Sequence, residues 1–211
     1  MVVTASLFYN IFRKLLIENL RPYEEAIHVS EVTHCLRKSY YSRKYGDMKT
    51  LSHLSDTKCV ILGLGVATHL TILRELQNYG FVIEPEVRYL IESGDEKFYL
   101  VGRPDAVGED TVIELKTVSR IPDAPYEHHV LQLQAYLNML NYSVGYLVYI
   151  SKTDGRIQIF DMNRSESIFK IIKERAVRLW NAIKKQELPE AERDYLCRYC
   201  EFWSKCYADE N

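Results

Sequence analysis

The chain has 211 residues, a net charge of −2 and an apolar share of 47%. That length suits one domain or a domain with a small attachment, and the apolar share excludes a disordered chain. A charge so close to zero excludes general affinity for polyanions, so nucleic-acid binding would have to rest on a local basic patch.

Residues 4–19 read as an amphipathic helix, because Asn10, Arg13, Lys14, Glu18 and Asn19 interrupt the apolar positions. No small-residue cleavage site follows, and no apolar run looks long enough to span a bilayer. A cytoplasmic protein with no membrane association is expected. Pro22 interrupts the chain. A second helix is predicted over 30–46, with Ser30 as its N-cap. It would carry Cys35 and a basic stretch of Arg37, Lys38, Arg43, Lys44 and Lys49, interleaved with Tyr40, Tyr41 and Tyr45. Such a stretch can neutralise phosphates and stack on bases. The alternative is a solvated helix face with its tyrosines packed inward. Residues 47–58 read as a loop.

Residues 61–79 follow as a third helix, with Leu62, Val66, Leu70 and Leu73 at helical spacing and Gly80 as its stop. The period then changes. Segments 81–91, 97–107 and 111–118 read as strands joined by turns at Gly94 and Gly108, suggesting an antiparallel meander. A helix over 127–141, a strand over 144–150, a Thr153-Asp154-Gly155 hairpin turn, a strand over 156–161 and a long helix over 165–185 complete the core. A short cysteine-bearing tail begins at Pro189. The order predicts a mixed α/β (α+β) fold in three parts: an N-terminal helical segment (1–58), a core (59–188) and a tail (189–211), together one compact unit.

The meander holds the chemistry. Asp105 ends one strand in Gly102-Arg103-Pro104-Asp105, and Glu114 and Lys116 lie two apart on the next, on one face of it. Their neighbours Val112, Ile113, Leu115 and Val118 are apolar, and charges in such surroundings need a partner or a metal. Two carboxylates on adjacent strands can hold a hard divalent cation, and a nearby lysine can orient water or neutralise developing phosphate charge. A plain Glu114–Lys116 salt bridge would give the same pattern. Upstream, His69 sits in the third helix; downstream, Gln132 and Tyr136 share a helix face.

The ordered set of His69, Gly102-x-x-Asp105, Glu114-x-Lys116 and Gln132-x-x-x-Tyr136 resembles the RecB-like branch of the PD-(D/E)XK nuclease superfamily. The resemblance implies that His69, Asp105, Glu114 and the backbone carbonyl of Leu115 ligate Mn²⁺ or Mg²⁺. It makes Lys116 the catalytic lysine, and Gln132 and Tyr136 contacts to DNA or braces of the site. An imidazole ligand suits Mn²⁺ better than Mg²⁺.

Five cysteines without a signal peptide argue against a disulfide framework. Cys197 and Cys200 form a CxxC pair and Cys206 follows; Cys35 is the natural fourth ligand. Four thiolates fit Zn²⁺ or an iron–sulfur cluster. Cys59 has no partner by spacing and reads as a free thiol. One early cysteine and three late ones, together with the stretch from Ser30 to Tyr41, resemble CRISPR-associated family four, small iron–sulfur exonucleases of spacer acquisition. That resemblance implies a 4Fe–4S cluster in preference to 2Fe–2S, a staple between the N-terminal helices and the tail, and cleavage of single-stranded or end-frayed DNA from the 5′ end. It implies CRISPR integrase proteins as partners and allows an oligomer. Arg37 and Lys38 are the expected substrate contacts near the first cysteine. A general repair nuclease and a zinc-stapled, non-catalytic DNA-binding module are the competing readings.

Overall fold

The structure, a computed structural model, describes residues 4–18, 26–45 and 54–208. Helix α1 (Ala5–Glu18) packs on the long α4 (Asp56–Asn78). The approach is close at Gly63, where a Cβ would lie 2.5 Å from the ring of Phe12. Arg13 ties the two ends together through Asp56 (2.8 Å) and the carbonyl of Leu54. Helix α4 starts earlier than the sequence suggested. Ser55 caps it by accepting from Lys58 N–H, so residues 56–58, expected in a loop, are helical. The rest of that expected loop, through residue 53, lies outside the described residues, as do Pro22 and Lys49.

Contrary to the sequence reading, α4 is long and apolar enough to cross a membrane by length and composition alone. Most of it is not buried in the protein, and Ile61, Leu62 and Leu64 are exposed. Small residues and Thr68 and Thr71 break up its apolar sequence, which is why the run escaped notice.

The predicted second helix is two helices, α2 (Val29–Val32) and α3 (Leu36–Lys44). The N-cap is His28, whose N–H donates to Glu31 Oε2; Ser30 lies inside the helix and is exposed. The break has a tertiary cause. The guanidinium of Arg175 takes the carbonyls of Val32 and His34, both at 2.6 Å, groups that a continuous helix would have used itself. Cys35 therefore stands at the start of α3, not within a helix.

Two sheets replace the single meander. In the smaller, β4 (Glu96–Gly102) pairs antiparallel with β3 (Val87–Ser93) and parallel with β1 (Ile27–His28). The larger has the order β2-β5-β6-β7-β8: Val82–Ile83, Ala106–Val107, Thr111–Val118, Val144–Ser151 and Ile157–Asn163. Prolines explain the difference. Pro85 and Pro104 cannot donate to a ladder, and at each the chain leaves one sheet for the other. Strands β6 and β7 are parallel, joined by the crossover helix α5 (Glu127–Leu140). Helix α6 (Glu166–Lys185), capped by Ser165, buries Phe169, Ile172, Ala176 and Leu179 at helical spacing.

One buried cluster runs from Ile27 and Leu36 through Leu100, Leu133 and Leu179 to Phe202 in the tail. The tail itself is a 3₁₀ turn (Tyr195–Tyr199) followed by α7 (Trp203–Ala208). It is moored by polar contacts. Glu192 pairs with Arg175 (2.7 Å) and accepts from Leu36 N–H, and Arg37 donates to the carbonyl of Pro189 (2.7 Å).

Candidate active site

The bend between the two sheets puts Asp105 against β6. Its carboxylate accepts from Leu115 N–H (2.7 Å), and its own N–H donates to Glu114 Oε1 (3.2 Å). Each carboxylate thus fixes the backbone that carries the other. Lys116, two residues along β6, donates to Glu114 Oε2 (2.8 Å) and to Gln132 Oε1 on α5 (3.0 Å). Gln132 in turn reaches the hydroxyl of Tyr136 at 3.5 Å. His69 enters from α4, with Nε2 3.5 Å from Asp105 Oδ1.

Two glycines permit this convergence. A Cβ on Gly65, one helical turn before His69, would lie 2.9 Å from Thr117 Oγ1, so only glycine lets α4 settle so close to β6. A Cβ on Gly102 would lie 2.5 Å from the Tyr136 ring and 2.9 Å from Val29. The glycine of the Gly102-x-x-Asp105 motif is the space that Tyr136 occupies.

Glu114 is fully buried. Burial first, and then the negative charge of Asp105, push its carboxyl up to about 7, against the pull of Lys116. Burial presses Lys116 down, but Glu114 and Asp105 outweigh it and hold the ammonium above its ordinary value. His69 is lowered by burial and then by Lys116, which favours the neutral imidazole that metals bind.

This donor set fits a divalent cation. Two crowded carboxylates keep a proton that a cation would displace, and carboxylate, imidazole and carbonyl groups suit Mn²⁺ or Mg²⁺. Among the described residues no three His, Cys, Asp or Glu side chains already stand at the spacing of one ion, because Glu114 is turned to Lys116 and to the Asp105 N–H.

Lys116, His69, Gln132 and Tyr136 line a cavity of about 1180 Å³ that Cys35, Cys197, Cys200 and Cys206 line as well. Cys206 Sγ lies 3.7 Å from the Arg37 guanidinium and Cys197 Sγ 3.9 Å from Asp194 Oδ1. Burial raises the Cys200 thiol. All four are free thiols that line this one cavity, although among the described residues no three of them stand at the spacing of one ion; four thiolates are a donor set of the kind an iron–sulfur cluster takes. Cys59 is also free, and is buried inside α4.

The basic stretch does not form the surface expected of it. Arg37 is only 8% exposed and is turned toward Pro189 and Cys206, and Arg43 is bound to Glu31 and to the carbonyl of Ala26. Lys38 edges the cavity but pairs with Glu201 (3.2 Å), and Tyr40 and Tyr41 are buried. The inward-packed alternative describes these tyrosines. Arg37 lines the cavity and also moors the tail, because Pro189 and Cys206 lie beside it in space, which no local pattern announces.

Sequence reasoning missed three groups. Glu84, in a left-handed conformation (φ 47°), donates its N–H to the Asp105 carbonyl and lines the cavity. Tyr149 stands opposite Lys116 in the parallel register and bonds His129 Nδ1 at 2.7 Å. Glu192 joins the tail to α3 and α6. Only Tyr149 left a signal, the alternation of a buried strand following a crossover helix.

The fold and this carboxylate–lysine arrangement define a class, and the match to its family is direct. Residues 11–207 match the PD-(D/E)XK nuclease superfamily, and the chain belongs to it. Within that class it is similar to the CRISPR-associated exonuclease Cas4 of Saccharolobus solfataricus, at 28% identity over 94% of this chain and 96% of that one. The crystal structure of SSO0001 superposes with a TM-score of 0.75 at 26% identity, covering 97% of this chain and 96% of that one. The alkaline exonuclease of Laribacter hongkongensis shares the fold, with a TM-score of 0.50 at 13% identity over 94% and 99% of the two chains.

Proposed function

We propose that the protein is a divalent-metal-dependent exonuclease that degrades single-stranded or frayed DNA from the 5′ end, in the cytoplasm, trimming spacer precursors for CRISPR integrase proteins. The observation that carries the nuclease reading is the convergence of His69, Asp105, Glu114 and Lys116 from separate parts of the chain, with His69 and Lys116 lining one cavity and the two carboxylates buried beside it. Likeness over nearly the whole chain to a CRISPR-associated exonuclease supports the narrower role.

His69, Asp105, Glu114 and the Leu115 carbonyl would hold the cation, Mn²⁺ in preference to Mg²⁺. Such an ion supplies a nucleophilic water near neutral pH and polarises the phosphate. The other residues shape the step. Lys116, kept protonated by Glu114 and Asp105, neutralises charge developing on the scissile phosphate. Gln132 fixes the direction of its ammonium, and Tyr136 anchors Gln132. Cys35, Cys197, Cys200 and Cys206 would hold an iron–sulfur cluster, 4Fe–4S by the family resemblance, that links α3 to the tail.

The test is cleavage of end-labelled single-stranded DNA with Mn²⁺ by the native chain and by Asp105→Ala. Shortening from the 5′ end that the variant abolishes is the expected result. Equal cleavage by both chains would place the activity elsewhere.

A further inference from the structure

The tail carries four large aromatic side chains that stay exposed although Tyr195 touches the Tyr126 ring and Trp203 touches that of Tyr207. Tyr195, Tyr199, Trp203 and Tyr207 recur at every fourth residue through the 3₁₀ turn and α7. All four are exposed, Tyr199 by 74% and Trp203 by 46%, whereas Phe202, beside Trp203, is buried in the core. Rings of this size normally bury their faces, so a row of open ones calls for a ligand. Tyr199, Trp203 and Tyr207 also line the cavity that contains Lys116 and Gln132. One cation stands against these rings: the Arg193 guanidinium lies 6.0 Å from the Trp203 ring centre.

We infer that Tyr199, Trp203 and Tyr207 form a stacking track for the bases of single-stranded DNA, which delivers the strand along the cavity to Lys116. The inference rests on the nuclease reading and adds to it how the strand is held. A duplex hides its base faces and offers phosphates, which a protein must meet with cations. Here Arg37 and Arg43 are turned inward, and Lys38 is paired with Glu201. On the tail Glu190, Glu192, Asp194 and Glu201 offset Arg193, Arg198 and Lys205. What the face offers is ring surface, and a single strand is the form of DNA that can use it.

The experiment is fluorescence anisotropy with a labelled single-stranded oligonucleotide and the full chain carrying Asp105→Asn to suppress cleavage, with native-chain cleavage of the same oligonucleotide measured in parallel. Adding Tyr199→Ala and Trp203→Ala should weaken binding by about tenfold to a hundredfold, the order of losing a stacked base or two. Tyr199→Phe with Trp203→Phe should restore it, which separates stacking from a folding defect. An oligonucleotide with abasic sites should bind the parent weakly and lose little more with the alanine pair. Unchanged affinity in the alanine pair, with cleavage by the native chain intact, would overturn the track alone and leave the face to a protein partner. A native chain that neither binds nor cleaves DNA would overturn the nuclease reading and the track together.

Discussion

Asp105, Glu114 and Lys116 share a volume almost closed to water, and each holds its place through the others. Tyr136 closes one side of that volume, resting where any side chain on residue 102 would go. Gly102→Ala should therefore displace Tyr136 and, through Gln132, the Lys116 ammonium. Overpacking of this kind costs about 1–3 kcal/mol, and cleavage should fall further than the loss of folded protein explains. Cleavage in proportion to folded protein would show that the Tyr136–Gln132 brace has no part in the reaction. A second residue-scale effect concerns pH. Burial, then Lys116, hold His129 well below its ordinary 6.5, so the folded protein keeps it neutral where the unfolded chain takes up a proton. Its contribution to stability is complete above that value and is lost as pH falls. Glu114 runs the opposite way, because its raised carboxyl costs stability as pH rises above its ordinary 4.5. The melting temperature of His129→Asn should consequently fall less on acidification below pH 6.5 than that of the native chain; an unaltered acid limb would contradict the assignment. At this scale the sequence was a good guide to Asp105, Glu114, Lys116, Gln132 and Tyr136, whose grouping depends on strand alternation and helix periodicity. The inward turn of Arg37 toward Pro189 was not legible, because a basic side chain's direction depends on what lies across the fold.

Among the elements, the tail is the one whose attachment matters most. It has no buried residue of its own in the 3₁₀ turn or α7, and it docks through Phe202 and through the meeting of Arg175, Glu192 and the Leu36 N–H. Removing one partner of that meeting by Arg175→Leu leaves Glu192 without its charge partner and frees the Val32 and His34 carbonyls. The expected loss is about 3 kcal/mol, read as a lower denaturation midpoint with the tail cut first by protease. A tail that stays protected would mean that Phe202, with the Arg37–Pro189 and Lys38–Glu201 contacts, secures it without Arg175. The four cysteines bear on the same junction. Cys197→Ala in the iron-loaded protein should bleach its brown colour and lower its melting temperature; an unchanged melting temperature would remove the cluster's structural role. Most of the helices were legible from periodicity, as was the stop at Gly80, whereas the N-cap read at Ser30 belongs to His28. The division into two sheets was also written in the chain, at Pro85 and Pro104, though long apolar runs on either side masked it. The split of the second helix was not legible, since Arg175 is far away in sequence.

Across the whole molecule, one cavity connects the carboxylate–lysine site to the four cysteines and the aromatic tail. Its lining comes from segments remote in sequence, so the order of motifs along the chain could announce the site without giving the cavity's shape. A near-neutral protein that cuts DNA needs positive charge placed locally at the scissile phosphate, and under the proposed function Lys116 is the ammonium that supplies it. The central claim is that this lysine serves the chemistry while the carboxylates and His69 hold the metal. The measurement that tests it most directly is single-turnover cleavage of end-labelled single-stranded DNA by Lys116→Gln, with Mn²⁺ affinity measured on the same preparation. Cleavage should drop by roughly 10²- to 10⁴-fold while the protein still binds Mn²⁺. Native cleavage rates in this variant would contradict the account.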